Sequence, residues 1–420
     1  MARNRPSRFL LIAGVLSCAV LLMAGCGGGS IGQGASKVRI TVSFTTGADE
    51  RRALEAVADE FMRDHPGILV KPIYITGGYY DKVKTMVAGH NAPDIMWMGQ
   101  GFAEFATRGA FLPIDNLYGH IDPDDYYMEV VNWYKLNGKL YGFPYGVDFR
   151  CIFYNKDLFD DAGVPYPRED WTVEEFLDTA QKLTRDIDGD GHIDQYGFQG
   201  QIPIGAYGDA ILNEDHTRCL LDTPQSIRLH QLDIDLVNKY KVSPPRESEL
   251  RSMGSQISFL MGRLAMWDAM NLMAIELRRT VDAFDWDIAK APKGTEQCHW
   301  ASSSGFAVAR TTKHPKEAVE LLKVLCGRRF VAELKGYSIP VEKAHAREMA
   351  DNWQGPPAHF HYLLDMVHNM KPNPRDPDIN QILDIMNRHL QRAEIGEVTV
   401  AEALEAAAAE IDQLLAERRK

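Results

Sequence analysis

An α/β architecture of two open sheets, each flanked by helices and both fed by one chain, is predicted by three stretches of the sequence. Between residues 38 and 98 the apolar pattern switches regularly between a period of two and a helical period, which describes alternating strands and helices. Residues 139–159 (KLYGFPYGVDFRCIFYNKDLF) hold two β-rich runs, 140–147 and 151–154, joined by a polar break at 148–150, and mark the passage from one lobe to another. Residues 259–327 then return the chain to a sheet through short apolar strands and an amphipathic helix.

The chain opens with a targeting segment over 1–25. Arg3, Arg5 and Arg8 make a positive start, and residues 9–24 form an apolar run too short for a comfortable membrane span. Export is the consequence. The run ends in Leu22-Met23-Ala24-Gly25-Cys26, small residues before a cysteine, which resembles a bacterial lipoprotein processing site. Cys26 is followed by GGGSIGQGAS, the composition of a flexible tether, so residues 26–37 are expected to be a lipidated Gly-rich linker. A rival site at Cys18 would leave AVLLMAG at the mature end instead.

The chain as a whole has the composition of a folded protein, 45% hydrophobic and 25% charged. Its formal net charge of −12 becomes more negative once the leader arginines are removed, which argues against nucleic acid and against anionic lipid as partners of the fold itself. Cys151, Cys219, Cys298 and Cys326 are widely spaced with no metal-ligand pattern, so buried thiols, or at most one or two disulfides, are expected.

In the first lobe Val38, Ile40, Val42 and Phe44 alternate with polar residues as a strand, and residues 48–65 carry Leu54, Val57, Ala58 and Phe61 on one helical face. A strand at 68–75, a helix at 80–88 and a strand at 94–98 complete a parallel βαβαβ unit. Ligands of such open sheets sit outside the carboxyl ends of the strands. The loops holding Thr46, Gly77-Gly78 and Gln100-Gly101-Phe102 should therefore border one crevice. They contain neither a dinucleotide fingerprint nor a phosphate loop.

Beyond residue 159 the chain becomes more helical. Thr172 and Glu175 form a capping box, with Trp171 and Phe176 placed as a hydrophobic staple. The run DIDGDGHID that follows sets Asp186, Asp188, Asp190 and Asp194 at the first, third, fifth and ninth positions of a calcium loop, although Gly197 replaces the expected bidentate Glu. Its charges can be compensated by Ca²⁺ or by the loop's own N–H groups in Asx turns. At the end of the chain, residues 379–394 and 400–418 read as amphipathic helices that pack on a lobe.

Taken in order, NAPDIMWMGQGFAEFATRGAFLPID, YGFPYGVDFRCIFYNKDLF, DIDGDGHIDQYGF, MGRLAMW, APKG and SGFAVA, behind a lipoprotein start, resemble the extracellular solute-binding proteins of sugar ABC transporters, the maltose-binding type. That resemblance implies the type II periplasmic-binding-protein fold: two lobes joined by hinge crossings, closing on a sugar that is handed to a membrane permease. It suggests lobe 1 over 38–147 plus about 268–327, and lobe 2 over 148–267 plus about 328–420. The implied partners are a carbohydrate and the transmembrane subunits of an ABC importer. The chain is expected to be a monomer held to the membrane only by its lipid, with no catalysis and no cofactor beyond a structural Ca²⁺.

Sugar recognition needs aromatic faces for C–H surfaces and carboxylates, amides or Arg for hydroxyls. The candidates at strand ends are Thr46, Gln100, Phe102, Tyr145, Asp148, Trp267, Asp268, Asn271, Trp300, Ser303 and Tyr337. The resemblance favours Asp148, which lies shortly before Tyr154-Asn155-Lys156. In many members Gly-x-Trp follows the segment matching Ala265-Met266; here it is missing, and Trp267 or Trp300 is expected to supply the stacking ring. Two other classes fit parts of the pattern: a glycoside hydrolase using Asp148 and Asp268 as acid and base, and a binding protein for a polyamine, a phosphate ester or iron, the last through Tyr79-Tyr80 and Tyr126-Tyr127.

Overall fold

The computed structural model describes residues 37–45 and 47–418. The leader, the tether with Cys26, and Thr46 lie outside the described residues. The first strands are β1 (Val38–Phe44), β2 (Ile68–Tyr74) and β3 (Ile95–Met98), with β1 parallel to both others. Helix Ala48–Asp64 buries Leu54, Val57, Ala58 and Phe61, the face expected from its period, against this sheet. Asp94 fastens the unit: one carboxylate oxygen accepts from the Thr41 amide at 2.8 Å and hydroxyl at 2.7 Å, the other from the Thr312 hydroxyl at 2.7 Å.

A short hairpin, β4 (Lys135–Leu136) with β5 (Lys139–Leu140), turns at Asn137-Gly138, both with positive φ as a two-residue hairpin turn requires. Next comes β6 (Gly142–Asn155), a continuous strand of 14 residues. The break expected at 148–150 is therefore absent: Asp148 keeps strand geometry because its carboxylate is satisfied from a neighbouring segment. At about 3.3 Å per residue the strand spans roughly 46 Å. The remaining strands are β7 (Tyr196–Gln199), β8 (Leu264–Met270), β9 (Trp286–Ala289), β10 (His299–Val308), β11 (Ile339–Pro340) and β12 (Met370–Pro372).

The strand order is β2-β1-β3-β10-β6-β8-β7, with β9 and β11 also on β6 and β12 on β10. Residues 142–149 of β6 pair antiparallel with β10, whereas residues 150–155 pair with β8 and β9. One strand thus belongs to two sheets. Pro144 is accommodated because the register with β10 shifts there: Ser304 faces Gly146 while Gly305 faces Pro144, leaving Tyr145 as the extra residue of a bulge. Gly146 permits the segment before β11 to approach, since a Cβ on it would lie 2.6 Å from Cβ of Ser338.

Where β6 passes between sheets, four segments are tied at one level. Ser338 donates to Asp148 Oδ1 at 2.7 Å. Asn271 accepts the Phe149 amide at 2.7 Å, donates its own amide to the Phe149 carbonyl at 2.8 Å, and reaches the Tyr337 carbonyl at 3.4 Å. The Ser303 hydroxyl donates to the Gly146 carbonyl at 2.9 Å.

The second sheet is covered by a core that includes Ile152, Phe159, Phe176, Phe198 and Leu229, and the capping box at Thr172 and Glu175 forms in full. Helices Ile379–Glu394 and Val400–Arg418 pack on each other around Ile382, Leu404 and Ile411, as their periodicity requires. The lobe assignment changes in two places, the first being that β9 (Trp286–Ala289), expected with lobe 1, pairs with residues 152–155 of β6 in the second sheet. Residues 328–334, expected with lobe 2, pack on the first sheet, because Phe330 is caged by Phe44, Tyr145 and Phe306 at 5.1–6.0 Å between ring centroids. Cys151, Cys219, Cys298 and Cys326 are all buried free thiols.

Burial pushes the Asp148 carboxyl up to about 7, against the hydrogen bonds from Ser338 and Ser304. An acid raised in the folded state contributes its stability fully below its ordinary value of 3.8, and that contribution is lost as the pH rises through 7. Asp148→Asn should therefore flatten the fall of melting temperature between pH 5 and 8 and melt higher than wild type at pH 8, by about 2–4 °C for each kcal/mol recovered. Calorimetric profiles of equal slope in the two proteins would contradict this role.

Candidate functional site

Aromatic side chains gather at the carboxyl ends of β1 and β3. Trp97 is half-buried, stacked on Tyr80 at 6.1 Å and edge-on to Tyr79 at 5.4 Å, and its indole N–H donates to the Tyr145 hydroxyl at 3.3 Å. The Tyr80 hydroxyl in turn accepts the Gly99 amide at 3.1 Å, and Gly101 lies under the same ring, where a Cβ would come within 2.6 Å. Gln100 is exposed beyond them. Gln100, Phe102 and Ser303 share a small cavity of about 50 Å³ with Trp133 and Arg375. Arg375 closes it, giving hydrogen bonds to the carbonyls of Asn132, Trp133 and Lys135 and lying over the Phe102 ring at 5.8 Å.

A larger cavity of about 520 Å³ adjoins the small one. Asn373 lines both, and neighbouring residues of β10 do so in turn, Trp300 in the larger and Ser302 and Ser303 in the smaller. At the mouth of the larger cavity the Arg150 side chain clamps Asp268: Nε lies 2.9 Å and Nη2 2.7 Å from Oδ2, and Nη2 also donates to the Asp268 carbonyl at 3.0 Å. The Gln201 amide adds a bond to Oδ2 at 3.2 Å. Burial raises the Asp268 carboxyl above its ordinary range, and the Arg150 charge pulls it back only in part. The Trp300 indole N–H donates to Asn373 Oδ1 at 3.0 Å.

The antiparallel register explains which residues of β8 take part. Asp268 is directly opposite Ile152, so it shares a face with Ile152 and Arg150, all three lining the cavity. Trp267 is opposite Phe153 on the other face and packs between Phe153 and Phe259, both at 5.8 Å. The stacking role expected of Trp267 is thereby corrected to core packing. Of the other predicted residues, Gln100, Phe102 and Ser303 line the small cavity, and Asp268 and Trp300 the larger. Tyr145, Asp148 and Asn271 are at most 5% exposed and hold the crossings together, in place of the open crevice positions expected of them. Tyr337 is half-buried beside them.

Sequence reasoning did not select Arg150, Gln201, Asn373 or Glu50. The signal for Arg150 was available: a cation two residues from Ile152 on an otherwise apolar strand needs an anion, and Asp268 is the acid inside the partner strand. Glu50 stands in the first turn of helix Ala48–Asp64 with one buried carboxylate oxygen that has no hydrogen-bond partner among the described residues, and its charge adds to the burial that raises the phenols of Tyr145 and Tyr337.

In the aspartate loop, carboxylate oxygens of Asp186, Asp188 and Asp194 lie within 4.8 Å of one another, while Asp190 stands outside this group. The loop's own amides bind them: Gly189 and Gly191 donate to Asp186, Asp190 to Asp188, and Ile187 to Asp194. These bonds, from Gly191 foremost, hold the Asp186 carboxyl below its ordinary value.

Residues 47–327 match the family model described as bacterial extracellular solute-binding protein. Among curated relatives, a binding protein of Brucella abortus is 23% identical over 397 residues, covering 91% of this chain and 94% of the relative. A multiple sugar-binding protein of Streptococcus mutans is 25% identical over 176 residues, 41% of this chain and 40% of the relative. Among solved structures, an ABC substrate-binding protein of Listeria monocytogenes in complex with cycloalternan superposes with a TM-score of 0.80 at 22% identity, covering 90% of this chain and 99% of that one. The maltose/maltodextrin-binding domain of Bdellovibrio bacteriovorus bound to maltotriose gives 0.72 at 21%, covering 90% and 100%.

Removing Arg150 would leave the Asp268 carboxylate buried without its counter-charge. Arg150→Met should cost about 1–3 kcal/mol of stability in denaturant unfolding, and the double variant Arg150→Met/Asp268→Leu should recover most of it; a single variant as stable as wild type would show that the pair is not coupled.

Proposed function

The chain belongs to the family of bacterial extracellular solute-binding proteins, and from that premise we propose that it is the carbohydrate-capturing component of an ABC importer, an oligosaccharide binder that closes about its hinge and delivers its ligand to a membrane permease. The observation that carries this reading is the pair of adjoining cavities. Between them they combine half-buried ring faces at Trp133 and Trp300 with amides at Gln100, Gln201 and Asn373 and with an Arg150–Asp268 pair whose charges already cancel. Such a surface suits a polyhydroxylated ligand, because it offers stacking and directional hydrogen bonds.

The same geometry weighs against the alternatives. Asp148 and Asp268 do not face a common space: the former is bound by Ser338, the latter by Arg150 and the Gln201 amide, which is a poor arrangement for an acid and base flanking a glycosidic bond. At the Arg150–Asp268 pair a phosphate ester would have to displace the Asp268 carboxylate. The Tyr79 hydroxyl is bonded to Ser43 and that of Tyr80 to the Gly99 amide, and burial raises both phenols, which opposes a ferric tyrosinate.

Closure is a population shift in this reading: ligand reaches groups of both sheets only in the closed form, so binding favours it. Lipidation at Cys26, anchoring to the membrane, action as a monomer and recognition by permease subunits belong to the same proposal. Among the described residues no helix is long and apolar enough to cross a membrane. A structural Ca²⁺ on Asp186, Asp188 and Asp194 is a separate proposal on which sugar capture does not depend.

A thermal-shift panel of mannobiose, maltotriose and cycloalternan beside spermidine and glucose 6-phosphate tests the function. A glycan at about 100 times its Kd should add about 2.7 kcal/mol to the folded state, with no reducing ends released on prolonged incubation. Stabilisation by spermidine or the phosphate ester alone, or hydrolysis of the glycan, would overturn the proposal.

A further inference from the structure

The larger cavity runs on from the Arg150–Asp268 mouth into the space between two helices. Helix Pro224–Asn238 turns His230, Asp233, Ile234 and Val237 toward it, residues at helical spacing on one face, and helix Ile379–Glu394 turns Leu383, Met386 and Leu390 toward it in the same way. Helices that bury apolar stripes against each other normally close to about 8–10 Å between axes. Here the facing stripes carry polar groups among the aliphatic ones, and a space of about 520 Å³ stays open in front of them.

The floor of this space is unfinished. His230 is 5% exposed, and neither ring nitrogen has a hydrogen-bond partner among the described residues. Burial pulls the imidazole down to about 4, so at neutral pH it is uncharged and offers one N–H donor and one acceptor. Asp233 accepts the Ile202 amide at 3.0 Å on Oδ1, and burial pushes its carboxyl up to about 8, which leaves it protonated and able to donate. On the walls Arg246 meets Glu394 at 2.7 Å, and Arg251 lies 3.7 Å from the same carboxylate. A cation entering here would find Glu394 already engaged by two guanidinium groups. A neutral ring with several hydroxyls would satisfy His230 and Asp233 and lay its C–H face on Ile234 and Leu390.

We propose that this space between the helices is a second sugar subsite, holding the terminal ring of an oligosaccharide that enters past Trp300, with His230 as its principal hydrogen-bonding residue. The inference rests on the carbohydrate reading above and adds a length preference: affinity rises when the glycan is long enough to reach His230.

Titration calorimetry on the exported chain, with the disaccharides mannobiose and maltose and their tri- to hexasaccharide series, tests it in wild type, His230→Leu and Leu390→Trp. Leu390 is half-buried on the cavity wall, so the tryptophan fills the space without touching the mouth. Both variants should keep wild-type Kd for the disaccharide and lose at least tenfold for the longest oligomer that wild type binds, and disaccharide binding doubles as the check on folding. If His230→Leu does not fold, Leu390→Trp and the wild-type length series decide. Wild-type affinity that does not rise with length, an unchanged oligomer Kd in the variants, or equal losses at every length would overturn the subsite alone, whereas wild type binding none of the glycans would overturn the carbohydrate reading and the subsite together.

Discussion

A strand that serves two sheets has no solvent face over most of its length, and β6 meets that demand with a nearly unbroken buried run in which only Arg150 is half-exposed. Everything placed along it must satisfy its polar groups locally. Hence Asp148 takes the Ser338 hydroxyl, the Phe149 backbone is closed on both sides by Asn271, and Arg150 is neutralised by Asp268 on the next strand. The Asp148 and Asn271 bonds lie at one level of four crossing segments. The proposed closure places its bending at this belt, where the polar ties between the two sheets are concentrated.

The belt also decides where ligand chemistry can sit. Side chains that hold the crossings are spent on each other, so the groups left for a ligand are those just beyond the belt. On one side are the aromatic cluster of Trp97 and Tyr80 with Gln100; on the other are the Arg150–Asp268 pair, Gln201 and Trp300. Asn373, from the segment that returns along β10, touches both cavities and joins them.

Much of this was legible in the sequence because it depends on local patterning. The parallel β1, β2 and β3 with their helices, the capping box at Thr172 and the two closing helices follow from periodicity and caps that neighbouring residues decide by themselves. What depends on register was not legible. The bulge at Tyr145 turns a predicted crevice residue into one that packs on Phe330, and only the hint of Pro144 inside a strand points to it. Whether Trp267 or Asp268 faces the cavity is settled by their partners on β6, and sequence spacing cannot supply that. Asp148 drew attention as a charge between two strands; its partner, Ser338, is 190 residues away, and no local rule brings the two together. His230 was invisible for the same reason, since a histidine on an amphipathic helix becomes informative only when the facing helix fails to supply its partner.

The central claim is that a glycan bound at the crevice brings the two sheets together about this belt. Small-angle X-ray scattering of the exported chain, with and without a saturating glycan identified by its thermal shift, tests that claim most directly. A smaller radius of gyration and a shorter maximum dimension are expected in the bound state; scattering profiles that superimpose while the glycan is demonstrably bound would contradict such closure.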